Sequence, residues 1–86
     1  MTKVHYFVSW TVEAIEHVQD QESVKVTLRG NSFVDTEEVT DKDTLAKMRT
    51  EIVRGIMRST NEEGRHVEIK EPIFILFFNE IVRTKI

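Results

Sequence analysis

A single segment of this 86-residue chain has apolar residues at helical spacing, whereas elsewhere they alternate or cluster as in strands. Within that segment they recur at intervals of 3, 4 and 4 and therefore share one helix face. They are Leu45, Met48, Ile52 and Ile56. Two N-cap pairs fit its start, Thr40 with Asp43 or Asp41 with Thr44, and we expect the helix to end near Ser59. One helix among strands has to be buried against a sheet, which predicts an α+β fold.

Two strands are predicted before the helix. Val4–Val12 has β-branched or aromatic residues at every second position, and Ser23–Arg29 alternates in the same way. The residues between them either prolong the first strand or form a turn, and the connection is too short for a crossover, so the strands pair as an antiparallel hairpin. Gly30-Asn31 interrupts the second strand. It is either a β-bulge within one long strand, which we favour, or a tight turn before a third short strand.

The segment after the helix also has strand character. Val67–Lys70 alternates and predicts a short strand. After Pro72, the six-residue run Ile73–Phe78 is too short for a helix and predicts a strand that is apolar on both faces.

Together these elements predict a single domain over residues 1–86 in the order β-β-α-β. We expect an antiparallel sheet of three to four strands with one helix packed on one face. One helix covers one face only, so the apolar residues on the other face need a different cover. Phe7, Phe33, Phe74 and Phe77 are the candidate residues for that contact. We predict a homo-oligomer, with a dimer first, or else a partner protein on this face.

Composition excludes several classes of protein. The chain has no cysteine, which rules out disulfides and a cysteine nucleophile and fits a cytoplasmic protein. No stretch approaches the ~18 apolar residues of a transmembrane helix, and the N-terminus lacks a signal-peptide pattern, so no membrane association is expected. A net charge of −3 gives no argument for a nucleic-acid partner, and no RNP-like run is present.

Five basic residues are candidate binding residues: Arg29, Lys47, Arg49, Arg54 and Arg58. Lys47, Arg54 and Arg58 share the outer helix face and could contact an anion such as a phosphate. The alternative is a solvated face on which Glu51 pairs with Lys47 and Arg54. Arg49 differs because its helical angle places it at the apolar stripe, where its guanidinium has to reach solvent, a carboxylate or a ligand.

The sequence gives no signature of catalysis or of metal binding. The three histidines lie on separate segments without a zinc-binding spacing. The acidic residues between Asp35 and Asp43 do not match a calcium-binding loop, and the only glycines, Gly30, Gly55 and Gly64, are too far apart for a phosphate-binding loop or a dinucleotide fingerprint. We therefore predict a non-enzymatic protein with no catalytic residue, cofactor or metal.

The chain resembles a group of small phage and prophage proteins. The features that carry the resemblance are Tyr6-Phe7-Val8-Ser9-Trp10 near the start, Gly30-Asn31 in the second strand, one helix, and Ile73–Asn79 near the end. Members of the group commonly open with a Tyr-Phe-Val-Ser-Tyr-like strand and end with an apolar strand that runs into asparagine. The chain departs from this pattern at Trp10 and in its long connection over Glu13–Glu22.

The resemblance implies a viral accessory protein in a bacterial host cytoplasm, and no catalytic residue is carried over from the group. Our first functional prediction is a binding protein that occupies the surface of a host defence protein, for example as an anti-CRISPR-like inhibitor. The second is an oligomeric sponge for a small phosphorylated or nucleotide signal, held by Arg29, Arg49, Arg54 and Arg58 at a subunit junction. The third is a structural or regulatory module of the phage itself.

Overall fold

A computed structural model describes residues 2–85 of the chain. It contains β1 (Thr2–His17), β2 (Val24–Glu37), α1 (Lys42–Glu62) and β3 (His66–Lys85). The three strands form one antiparallel sheet in the order β2-β1-β3. The predicted α+β class and the β-β-α-β order are therefore confirmed.

Strands β1 and β2 are longer than predicted and form one hairpin. β1 continues to His17, and the turn that follows is closed by the Gln21 amide, which donates to the Val18 carbonyl at 3.1 Å. Asp20 takes the left-handed conformation in this turn, with φ of 62°.

The Gly30-Asn31 pair lies inside the continuous β2 strand. The register between β1 and β2 runs without a shift from Lys3 opposite Glu37 to Glu16 opposite Val24. The favoured β-bulge is therefore wrong, and so is the alternative of a turn. Gly30 lies opposite Trp10, and a Cβ atom at Gly30 would come within 2.9 Å of the indole Cζ2. Glycine is needed here for space rather than for an unusual backbone angle.

The two segments predicted after the helix form one strand, β3, and this strand is irregular. Its register against β1 shifts at three places. One shift lies at Pro72, whose missing N–H is tolerated because β3 is an edge strand. The other two leave Leu76 and Ile81 as extra residues without a direct partner on β1.

Helix α1 begins and ends with side-chain and backbone caps. Asp41 is the N-cap: its carboxylate accepts from the Thr44 amide at 2.9 Å, and the Thr44 hydroxyl accepts from the Asp41 amide at 3.1 Å. This confirms the second of the two predicted cap pairs. The helix runs three residues beyond Ser59, to Glu62. It ends where Gly64, with φ of 74°, allows the Arg65 amide to donate to the Thr60 carbonyl at 2.8 Å.

The core lies between α1 and one face of the sheet. Alternate residues of β1 from Val4 to Val12 are buried there against Met48, Ile52 and Ile56. Two polar atoms of aromatic core residues are satisfied. The Tyr6 hydroxyl accepts from the Val39 amide at 2.9 Å, and the Trp10 Nε1 donates to the Ser32 hydroxyl at 2.9 Å. The opposite face of the sheet has no helix packed on it within residues 2–85.

Candidate binding surface

The helix-free face of the sheet carries a cluster of apolar side chains that we call the apolar face. It follows from strand alternation: because Val4, Tyr6 and Val8 point to the helix, Phe7 points away from it. Residues directly opposite each other on neighbouring strands share a face. The apolar face therefore consists of Phe7, Phe33, Phe74, Phe77 and Val82.

The side chains of the apolar face are in contact with solvent. Phe33 is 78% exposed, Phe74 57% and Phe77 54%, while Phe7 is half-buried. The rings of Phe7 and Phe33 lie 5.6 Å apart in a tilted arrangement. All four phenylalanines that the sequence analysis selected are thus brought to one surface, and the structure adds Val82 to them.

Polar groups surround the apolar face on the same side of the sheet. The Ser9 hydroxyl donates to the Asn31 side-chain carbonyl at 2.6 Å beside Phe77, and His5 contacts Asp35 beside Val82. Arg29 lies opposite Thr11, at the end of the cluster that contains Phe74. An apolar centre with a polar rim is the usual anatomy of a protein–protein interface.

Leu76 and Ile81 extend the exposed apolar surface of β3, and sequence reasoning missed them. They are 65% and 50% exposed and occupy the bulge positions of the strand. The sequence shows only a continuous apolar run, which does not reveal where the pairing with β1 skips a residue. The same run also reaches the helix side of the sheet, where the rings of Phe78 and Tyr6 meet edge to face at 5.6 Å.

The five candidate basic residues do not form one site within the described chain. Lys47 pairs with Glu37 on β2 at 2.9 Å, and Arg54 pairs with Glu51 at 2.7 Å. The Glu51–Arg54 pair was predicted, whereas Lys47 has a different partner from the predicted Glu51. Arg58 is exposed on the same side of the helix.

Arg49 and Arg29 lie elsewhere on the molecule. Arg49 is half-buried on the opposite flank of α1, and its Nε is shielded from solvent and finds no hydrogen-bond partner among the described residues. Arg29 lies on the helix-free face of the sheet. A phosphate site made of Arg29, Arg49, Arg54 and Arg58 would therefore have to be assembled from more than one chain.

The acidic residues and histidines have mostly structural partners. Glu38 accepts from Arg83 at 2.7 Å, and Asp41 caps the helix. His17 Nδ1 lies 2.7 Å from the Ser23 hydroxyl. Among the residues that the structure describes, no group of three or more histidine, cysteine, aspartate or glutamate side chains is placed to hold a metal ion.

Ion pairs join the elements at the two ends of the sheet, and the pair of Arg65 with Glu16 is half-buried. Arg65, which follows the helix, donates to both carboxylate oxygens of Glu16 at 3.0 and 2.8 Å. The hydrogen bond from Arg65 holds the pKa of Glu16 below its ordinary value of 4.5. At the other end, the hydrogen bond from Arg83 likewise lowers the pKa of Glu38.

These lowered pKa values predict a loss of stability in acid. A carboxyl whose pKa is lower in the folded state stabilises the fold above its unfolded pKa and loses this effect as the pH falls through the folded value. For Glu16 the effect is complete above about pH 4.5 and declines below it. We expect the thermal midpoint, followed by circular dichroism, to fall from neutral pH to about pH 3 and to fall less in Glu16→Gln. Glu22→Gln, an exposed substitution in the turn, is the control and should follow the wild type. An unchanged pH dependence in Glu16→Gln would contradict the assignment.

Comparison with known proteins adds no relative: no family model matches the chain, and neither does any curated protein or solved structure. No helix in the described part of the chain is long and apolar enough to cross a membrane.

Proposed function

We propose that this chain is a non-enzymatic binding protein that works by occupying the surface of another protein. The observation that carries the proposal is the apolar face, on which phenylalanines of the two outer strands lie exposed to solvent around half-buried Phe7 of the central strand. Large apolar patches are uncommon on monomeric proteins and mark interaction sites.

The size of this sheet face suits a stable complex. The molecule is 50 Å long, and three strands about 4.8 Å apart give a face roughly 14 Å wide, or about 700 Å². A standard interface takes about 800 Å² from each partner. Full burial of one phenylalanine contributes about 1.5–3 kcal/mol, so a few well-placed rings supply most of the binding free energy.

The charge balance of the face favours a protein over a nucleic acid. Its register positions contain as many basic as acidic residues. The basic residues are Lys3, Lys25, Arg29 and Lys70, and the acidic ones are Glu13, Asp35, Glu37 and Glu68. A nucleic-acid surface needs an excess of positive charge to neutralise phosphates.

The class of partner, a host defence protein of a bacterium, is supported by the resemblance to small phage proteins and remains a prediction. The nucleotide sponge has less support, because only Arg54 and Arg58 of its four arginines share a surface of the chain. A phage structural or regulatory module would use the same apolar face, and the identity of the captured protein separates it from a host-directed inhibitor.

Substitution of the exposed phenylalanines tests the proposal. Tagged wild type is expressed in the bacterial host, the captured protein is identified by mass spectrometry, and the purified pair is titrated by calorimetry. We expect Phe33→Ser and Phe77→Ser each to weaken binding by about 30-fold, the effect of a 2 kcal/mol hot spot, without loss of secondary structure.

Val18→Ser is the matched control, because Val18 is 41% exposed but lies in the turn after β1, outside the apolar face. It should bind the partner as the wild type does. A partner that binds the Phe33→Ser/Phe77→Ser double variant with unchanged affinity would show that the face is not the binding surface. If the face instead binds a second copy of the chain, the wild type will form dimers that both phenylalanine variants abolish.

A further inference from the structure

The two edges of the sheet differ in their protection against pairing with another strand. Edge strands are normally blunted by proline, bulges or irregular pairing. β3 has all of these, at Pro72, Leu76 and Ile81. β2 has neither proline nor a register shift over its whole length, Val24–Glu37. Within the described chain, β2 is therefore the edge that remains open to a further strand.

Helix α1 does not close this edge. Val26, Leu28 and Ser32 point to the helix side of β2 but are only half-buried. Between α1 and β2 lies an open groove of about 480 Å³, bordered by Leu28 and Ser32 on the strand and by Gly55 and Ser59 on the helix. The helix thus leaves the outer strand accessible along much of its length.

The charges on the helix-free side of β2 are sorted by sign. Lys25 and Arg29 lie in the first half of the strand, and Asp35 and Glu37 lie in the second half, with Asn31 midway between Lys25 and Glu37. An antiparallel copy of the same strand runs in the opposite direction. Its acidic half therefore lies beside the basic half of the first copy, and the reverse holds at the other end of the pair.

We infer that a second copy of this chain pairs with β2 in antiparallel fashion, with a two-fold axis at Asn31. In this register Lys25 lies directly opposite the other copy's Glu37, and Arg29 lies diagonal to the other copy's Asp35. Within each copy, Glu37 also accepts from Lys47, and Asp35 contacts His5. Shifting the axis to residue 30 brings the Arg29 residues of the two copies diagonal to each other, and shifting it to residue 32 leaves Lys25 opposite residue 39, beyond the end of β2. Backbone hydrogen bonds supply affinity in such a pair, while exposed charges select the register.

The resulting six-stranded sheet keeps both apolar faces free and places them side by side. Phe33 of each copy lies opposite Arg29 of the other, close to the axis, so the two apolar faces become one broader surface. The edge pairing is inferred only from the register of β2 and the order of its charges. It does not depend on whether the apolar face binds a partner protein.

A cysteine cross-link tests the register, because the natural chain contains no cysteine that could react. The two Asn31 residues lie directly opposite each other, where antiparallel Cα atoms are about 4.5–5.5 Å apart, within the range that a disulfide spans. Asn31→Cys is therefore expected to form a covalent dimer under mild oxidation. In Thr27→Cys, the control on the same side of the strand, the two thiols lie eight residues apart in register, about 27 Å, and should not cross-link.

A charge exchange gives a second, independent test by sedimentation equilibrium. In the symmetric dimer, Lys25→Glu places a carboxylate opposite the other copy's Glu37 at both ends of the strand pair. We expect this repulsion to weaken dimerisation about tenfold, and we expect Lys25→Glu/Glu37→Lys to restore it. A wild type that remains monomeric at high concentration overturns the inference. A dimer that Asn31→Cys fails to cross-link also overturns it. A dimer that is lost in Phe77→Ser but unaffected by Lys25→Glu would place the second copy on the apolar face instead.

Discussion

Ile52→Ala is expected to lower the free energy of unfolding by about 2–5 kcal/mol, the usual cost of removing a large aliphatic side chain from a packed core. Ile52 is 1% exposed and lies in the middle of the buried helix stripe, between Met48 and Ile56. Among residues 2–85, α1 and one sheet face supply the buried residues of the core, so little other packing can fill the space. Urea unfolding followed by circular dichroism measures the change.

The expected loss is large relative to the total free energy of unfolding. A domain of this length is stable by only about 4–13 kcal/mol, so Ile52→Ala removes a substantial fraction of its stability. Met57→Ala is the matched control in the same helix, because Met57 is 37% exposed, and it should cost much less. Equal losses in the two variants would mean that α1 is not packed on the sheet in the orientation described.

Gly30→Val is expected to destabilise the fold by about 1–3 kcal/mol, although valine is favoured over glycine in strands. The reason is the indole ring of Trp10, whose Cζ2 and Cη2 atoms would lie 2.9 and 3.3 Å from the new Cβ. Trp10 is 8% exposed, and its hydrogen bond to Ser32 would be disturbed if the ring moved aside. Trp10 fluorescence should shift as its packing changes.

Gly55→Ala provides the opposite comparison. Gly55 lies in the interior of α1, and a Cβ atom there would meet nothing within 4 Å. Alanine should therefore stabilise the helix by about 1 kcal/mol, the ordinary difference in helix propensity. If Gly30→Val proved neutral or stabilising, the close approach of Trp10 to β2 would be incorrect.

The element order and the helix face could be predicted because they depend on local periodicity. The misplaced bulge at Gly30-Asn31 shows the limit of this approach. A glycine in a strand pattern has several causes, and the cause here is a tryptophan 20 residues earlier in the chain that lies directly opposite in the sheet. The predicted helix was three residues too short. Its last turn is stabilised by the burial of Thr60 in the fold and ends at Gly64, which takes the left-handed conformation.

The candidate surface was predictable in part. The grouping of the four phenylalanines follows from alternation once the strands are known, although Leu76 and Ile81 required the observed register. The ion-pair partners of the basic residues were harder to predict. Lys47 pairs with Glu37, ten residues earlier on another element, and a helical wheel contains only partners from its own helix. Arg49 lies beside the core as its helical angle predicted.

The strand order has a consequence for how the protein is made. β1 comes first in the chain but lies in the middle of the sheet, and its partners on β3 are separated from it by 49 residues at His17–His66 and by 83 at Thr2–Lys85. On a ribosome, the β1–β2 hairpin can close early, while the other side of β1 stays unpaired until β3 emerges. Pairing over such distances is slow, and an unpaired apolar strand is prone to aggregate. The yield of soluble protein therefore depends on whether the sheet is completed before the unpaired strand aggregates. Slower growth at low temperature should favour the folded product.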